Sequence, residues 1–239
     1  ETPAGMSLAQ YTDYCLWYLE HHIPKYVAPA DNIAAILIEP GLAEGGNWIP
    51  PAQFLKGIRD ICSRHDWLMI ADEVQSGIGR SGQYFAVQFH DIEPDILTSA
   101  KALGGGILPL AAVVAREELN VCGEFAIGHY THEKNPVTAQ AALTTLDIIR
   151  DEGLMERAAD LGGWAMDRLR AFAQKSPIVG DVRGRGLMFG VEIVSDKVAR
   201  TPAPELAERI YYACLDQGLS FKISGGCTLT LSPPLVISR

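Results

Sequence analysis

With 239 residues, 48% of them hydrophobic, the chain is long enough to bury a substantial core and to hold one large domain or one and a half ordinary ones. A formal net charge of −9 disfavours nucleic acid as a partner, because displacing phosphate counterions needs a basic face. No apolar run approaches the roughly 18 residues of a membrane span, and no basic segment followed by an apolar one opens the sequence, so a cytoplasmic protein without membrane contact is expected.

The cysteines at 15, 62, 122, 214 and 227 are odd in number, scattered and free of any CxxC pair. Neither a disulfide framework nor a zinc site is expected, and buried small apolar groups are the better reading. The adjacent pair His21 and His22 lacks the spacing of metal ligands and reads as solvated surface.

In chain order, the first unit is strand, helix, strand. NIAAILIEP (Asn32 to Pro40) is a β-branched apolar run followed by the loop GLAEGGNW. Pro50 and Pro51 then open AQFLKGIRDICSRH, whose apolar residues at 54, 55, 58, 61 and 62 follow helical spacing, with proline favoured in the first turn. WLMIAD follows as a second buried strand. Strands joined by a helix of that length run parallel, so their C-terminal ends share one sheet edge. Glu39 ends the first strand, Asp72 the second, and a third run, DILTSAK, ends in Lys101. Ligands of open α/β sheets bind beyond the carboxyl ends of the strands, so three ionisable residues at three successive ends predict a site.

PLAAVVA is expected as a further strand. Asn135 and Pro136 then open a long helix, interrupted at Gly153 before a second helical stretch reaching about Ala173. The tail predicts a smaller α+β unit, with GLMFGVEIV as strand, PELAERIYYACLDQ as helix stopped by Gly218, and SFKIS and TLTLS as short strands. The expected division is 1–150 for the larger unit and 151–239 for the smaller.

The chemistry is concentrated in LMIADEVQSGIGRSG and in Lys101. A lone lysine is ordinarily surface. This one follows an apolar strand and precedes ALGGG, a glycine run that leaves space and lets backbone approach a ligand. A lysine in a partly desolvated strand-end site can act as an amine nucleophile and base, which is what a Schiff base requires. Asp72, a carboxylate at the end of a buried strand, needs a cation. The protonated ring nitrogen of pyridoxal phosphate is one candidate. A structural alternative is pairing with Arg80, or capping of the GIGRSG turn.

In six segments the chain resembles the class III, or omega-type, aminotransferases, pyridoxal-phosphate enzymes of fold type I. They are IEP with EGGNWIPP, LMIADEVQSGIGRSG, DILTSAKALGGGILPLAA, HYTHEKNP, GDVRGRGLMFGVEI and LSPPL, in that order. The resemblance implies an α/β fold with a mostly parallel sheet in the large domain and a smaller C-terminal α+β domain. It implies pyridoxal 5'-phosphate on Lys101 as a Schiff base, Asp72 holding the pyridine nitrogen, Val74 against the ring face and Gln75 near the phenolic oxygen. Thr131 matches the threonine that reaches the phosphate in a neighbouring subunit, which implies a homodimer. Glu39 lies near the site without carrying the proton. Arg80, Arg183, Arg185 and the run Gly104 to Gly106 are assigned structural roles, and no metal is implied.

Two departures matter. The glycine and serine rich phosphate loop and the ring-stacking aromatic of the family are not in the 239 residues, so the resemblance implies a partial chain. Thr230 stands where members acting on ordinary α-amino acids often have an arginine for the α-carboxylate. The expected substrates are therefore hydrophobic or aromatic amines, or amino acids held by another cation, with a 2-oxo acid as acceptor. The leading function is an aminotransferase; a racemase, epimerase or decarboxylating relative shares every motif. A non-catalytic interaction domain is the reading from another class, and the intact set Asp72, Gln75, Lys101 and Thr131 argues against it.

Overall fold

The computed structural model describes residues 2–126, 128 and 130–239. The chain divides into two compact units that interleave along the sequence. The first comprises the described residues of Glu1–Pro40, Pro50–Val74 and Val87–Ala141, and the second Gly41–Ile49, Gln75–Ala86 and Ala142–Arg239. Where the sequence reading draws one boundary near residue 150, contacts divide the chain after Ala141 and lend two upstream loops to the second unit.

In the first unit, helix α1 (Leu8–Trp17) begins at a reciprocal cap in which Gln10 N–H donates to the Ser7 hydroxyl (3.2 Å) and Ser7 N–H to the Gln10 side chain (2.9 Å). A π turn, Tyr18–His22, carries it into α2 (Ile23–Tyr26). His22 stacks between Tyr18 and Tyr26, with centroids 4.3 and 4.7 Å away, which is ring packing on a helix flank. No cluster of metal-ligating side chains occurs among the described residues.

Strand β1 (Ala35–Ile38), helix α3 (Ala52–His65), strand β2 (Leu68–Asp72) and strand β3 (Ile96–Ser99) follow as the periodicity predicts. Helix α3 buries Leu55, Ile58, Ile61 and Cys62, one face at three- and four-residue spacing, against Trp67, Met69 and Ile92. It stops where Asp66 turns left-handed at φ 56°. Strands β1, β2 and β3 are parallel neighbours, in the register Ile38 opposite Ala71 and Asp72 opposite Thr98. Strand β4 (Ala112–Ala115) closes the sheet antiparallel to β3, with Val113 and Val114 exposed on its open side.

The second unit is built on helices α4 (Pro136–Asp151) and α5 (Leu154–Lys175), separated by Gly153 at φ 61°. A wholly antiparallel sheet follows in the order β5-β6-β9-β8, from strands Val179–Arg185, Met188–Asp196, Thr228–Leu231 and Lys222–Ser224. The short β7 (Thr201–Pro202) pairs with β6, and helix α6 (Pro204–Asp216) precedes β8. One sheet face packs Phe189, Val191, Ile193 and Leu229 with Ala158, Leu161 and Met166 of α5 and Ala207 of α6. Helix α5 approaches so closely at Gly162 that a Cβ there would lie 2.2 Å from the Gly186 carbonyl oxygen. No described helix is long and apolar enough to cross a membrane.

Candidate active site

The sequence-predicted residues fall into two groups, one in each unit. In the first unit the parallel register aligns three strand ends. Glu39 follows Ile38, which lies opposite Ala71, so Glu39 stands abreast of Asp72. Asp72 lies opposite Thr98, three residues before Lys101. Successive residues of a strand alternate faces, so Met69 and Ala71 go to the core while Asp72 shares the other face with Thr98.

Asp72 is half-buried, and one carboxylate oxygen accepts the Val74 N–H at 3.0 Å. Its second oxygen has no hydrogen-bond partner among the described residues. Arg80, the alternative cation for Asp72, donates instead to the carbonyls of Leu187 (3.1 Å) and Pro233 inside the second unit, and burial lowers its pKa. That is the structural role expected for it.

Lys101 has φ +45°, a left-handed conformation that side-chain-bearing residues rarely adopt. Such strain costs about 1–3 kcal/mol and concentrates at functional sites. It opens a 3₁₀ turn, Lys101–Gly104, followed by Gly105 at φ 71° and Gly106 at φ 74°. A Cβ added at Gly106 would meet nothing within 4 Å, so the backbone beside the lysine is open. The sequence predicts a partly desolvated amine; in the structure Lys101 is exposed.

Two residues behind this edge were not singled out by sequence reasoning. Glu73 is fully buried, its N–H continues the ladder to Thr98 O (2.9 Å), and its carboxylate accepts the Val87 N–H (2.8 Å). Asp95 directly precedes β3 and accepts from Met69 N–H (2.7 Å) and Arg59 (2.6 Å), with Arg116 paired to it at 3.2 Å. Burial works to raise the Asp95 pKa, but the Met69 N–H and the two arginines outweigh it and hold the carboxyl below its usual value. The available signal was an acid directly ahead of an apolar strand. Thr131 lies in an exposed turn of the same unit, and His129 of its motif lies outside the described residues.

In the second unit Gln75 and Thr230 line one cavity of about 670 Å³, whose walls include Trp164, Phe189 and Phe221. Thr230 is 8% exposed, and its hydroxyl has no partner among the described residues. Nearby, buried Arg183 is fully engaged. It donates to Gly46 O (2.8 Å), Asp181 (2.9 Å), Glu192 (2.6 Å) and the Thr228 hydroxyl (3.1 Å), and lies over the Trp48 ring at 3.7 Å. It pins the 41–49 loop to the sheet, a structural role. Lys222, also overlooked, lies directly opposite Thr230 in the β8–β9 register and pairs with Glu44.

The first group fits a cofactor that presents an aldehyde and a protonatable ring nitrogen. A primary amine stands open beside bare backbone, and a carboxylate with a spare oxygen ends the adjacent strand. The family description Aminotransferase class-III matches residues 6–239, and the chain belongs to that pyridoxal-phosphate-dependent family.

Three similarities within that family are of different kinds. The chain is 43% identical over 222 residues to (R)-1-hydroxy-2-aminoethylphosphonate ammonia-lyase of Vibrio splendidus, covering 93% of this chain and 45% of that protein. It is 39% identical to the leucine/methionine racemase of Thermococcus litoralis, over 88% of this chain and 47% of that one. An amine transaminase from an uncultivated Pseudomonas species, solved in the PLP-bound form, superposes with a TM-score of 0.92 at 33% identity, over 100% of this chain and 56% of that one. The chain thus spans about half the length of the curated relatives it matches. Its fold is that of the type I pyridoxal-phosphate transferases.

Proposed function

We propose that the protein is an aminotransferase that moves an amino group between an amine or amino acid and a 2-oxo acid, with Lys101 as the residue that holds pyridoxal phosphate covalently. The observation that carries this reading is the strained Lys101 at the end of β3, on the same sheet edge as Asp72 with its spare carboxylate oxygen.

When bound, the cofactor supplies an electron sink for the pair left behind when a bond to the substrate's α-carbon breaks. The Asp72 carboxylate would keep the ring nitrogen protonated, since a neighbouring anion favours the charged form. Val74 would pack against the ring and Gln75 would donate to its phenolic oxygen. Lys101 Nζ would take the proton from the α-carbon and return it. Glu39 stands beside Asp72 and shapes the field there without carrying that proton. Thr131 would serve the phosphate of a partner subunit's cofactor, which makes the working form a homodimer. A cytoplasmic location belongs to the same reading, as does the division into a cofactor-binding part before about residue 150 and a small domain after it.

The names of the racemase and the ammonia-lyase among the relatives favour a second reading, in which the same proton abstraction ends in inversion at the α-carbon or loss of ammonia with no 2-oxo acid consumed. Omitting the oxo acid from the assay separates the two. Borohydride reduction of the cofactor-loaded full-length protein followed by peptide mapping is expected to label Lys101, and Lys101→Ala to lose both label and turnover. A label on another lysine overturns the assignment.

A further inference from the structure

In the antiparallel pair β8–β9, Lys222 lies directly opposite Thr230, and Thr230 in turn lies opposite Gly190 of β6. Directly opposed residues share a sheet face, with Cβ atoms about 4.5–5.5 Å apart. Gly190 contributes no side chain to this row, and the Gly46 carbonyl fills the space above it, since an added Cβ would lie 2.5 Å from that oxygen; the open side of Thr230 is therefore the one toward Lys222. Lys222, Thr230, Glu44 and Gln75 line the same cavity, whose other walls are mostly apolar, with Arg168 and three serines among them.

The Thr230 hydroxyl is buried and has no partner among the described residues, although a buried hydroxyl is normally satisfied. Lys222 does have one, the Glu44 carboxylate. Their side chains are 60% and 66% exposed, however, and an ion pair that open contributes little and exchanges readily.

We infer that Lys222 and Thr230 form an acid-recognition subsite, in which Lys222 releases Glu44 to bind the carboxylate or other oxyacid group of the substrate and the Thr230 hydroxyl donates a hydrogen bond to it. This rests on the reading above and narrows its substrate class to amino compounds with an acid group and an apolar body. The cation that Thr230 itself cannot supply comes from the next strand, one cross-strand step away. Glu44 is the internal competitor that occupies Lys222 when no substrate is present. Arg168, the other cation on the cavity wall, is held over the Trp164 ring at 4.5 Å and lies on α5, outside the Lys222–Thr230 row.

The test uses the full-length, cofactor-loaded protein and probes that have no amine: butyrate and propylphosphonate, with 1-butanol as the uncharged control, titrated by calorimetry. Butyrate and propylphosphonate report which oxyacid the site prefers, and saturable binding of either supports the subsite. Lys222→Met is expected to weaken acid binding ten- to a hundredfold and Lys222→Arg to keep it within about threefold. Thr230→Val should weaken it several-fold, and Glu44→Gln should tighten it by removing the competing anion. That opposite sign is what a merely structural role for the pair would not produce.

Lys222→Met binding within twofold of wild type, no tightening in Glu44→Gln, or a larger loss in Arg168→Met than in Lys222→Met overturns the subsite. Because the probes cannot turn over, the two readings fail separately. Acid binding without a borohydride label at Lys101 sinks the transaminase reading alone, and a labelled Lys101 with binding indifferent to Lys222 sinks the subsite alone.

Discussion

Replacing Arg183 with methionine keeps the length of the side chain and removes its charge, and the structure sets what that should cost. Arg183 is 9% exposed and makes two ion pairs of unequal worth. The Asp181 side chain is 32% exposed and can turn to water, so its loss costs little. The Glu192 side chain is 14% exposed and, among the described residues, would be left with Arg200, whose guanidinium is 3.9 Å away. Breaking a buried pair in this way costs about 3–5 kcal/mol, most of it the stranded charge. The Gly46 carbonyl and the Thr228 hydroxyl lose their donors in the same step, and Trp48 loses its cation. These losses overlap and are not additive. Because the shift in Tm per kcal/mol falls as the chain lengthens, the loss is read as a free energy from the urea transition, with a lower Tm beside it.

The assay is thermal and urea unfolding of the full-length protein, for Arg183→Met, Arg183→Lys and the double variant Arg183→Met/Glu192→Gln. The double variant removes the stranded charge and should recover more than half of the loss. Lysine should recover only part, because a point charge cannot serve Glu192, Gly46 and Thr228 together. Arg183→Met within about 1 kcal/mol of wild type would refute the argument that this guanidinium pins the 41–49 loop.

Two further outcomes are expected. Asp72→Asn should lower kcat by several orders of magnitude while the cofactor still binds, because an amide cannot stabilise a protonated ring nitrogen as a carboxylate does; steady-state kinetics beside the visible absorbance of bound cofactor check it, and a near-normal rate returns Asp72 to a structural role. Asp95→Asn should cost about 1.5–3 kcal/mol at pH 7. The folded carboxyl of Asp95 is held below its usual 3.8, so its contribution is full above that value and is lost as pH falls through the folded pKa. Urea melts of wild type and variant should therefore converge in acid, and a gap independent of pH would exclude the ion pairs as its source.

Much of the first unit was legible in the sequence by itself. Helix α3 could be read because its apolar spacing and leading prolines act locally. The parallel pairing of β1 and β2 followed because a helical crossover permits little else. Those two facts brought Glu39 and Asp72 to one sheet edge, whereas β2 and β3 are joined by loop and a short 3₁₀ turn, and their parallel register, which adds Lys101, is a tertiary finding. Strand β5 was not recognised as a strand, because a register shift between Val179 and Asp181 buries Val179 and Val182 three residues apart, which breaks the period-two pattern that marks a strand. Local signals could not assign the 41–49 loop to the second unit either. That follows from one guanidinium, held by Asp181 and Glu192 of its own hairpin, meeting the Gly46 carbonyl and the Trp48 ring, partners far from it in the chain.

The pairing of Lys222 with Thr230 shows the limit most sharply. SGGC reads equally well as a two-residue hairpin loop, which would set Ser224 opposite Cys227 and Lys222 opposite Leu229. In the structure the loop takes three residues, Gly225 and Gly226 are both left-handed, and Ser224 faces Thr228. Side chains alternate with period two, so that single residue decides whether the lysine stands beside a threonine or a leucine. The tertiary structure settled it, because Thr228 reaches Arg183 on one face of β9 while Ile223 of β8 packs into the core beside Leu229 on the other, which leaves Lys222 opposite Thr230.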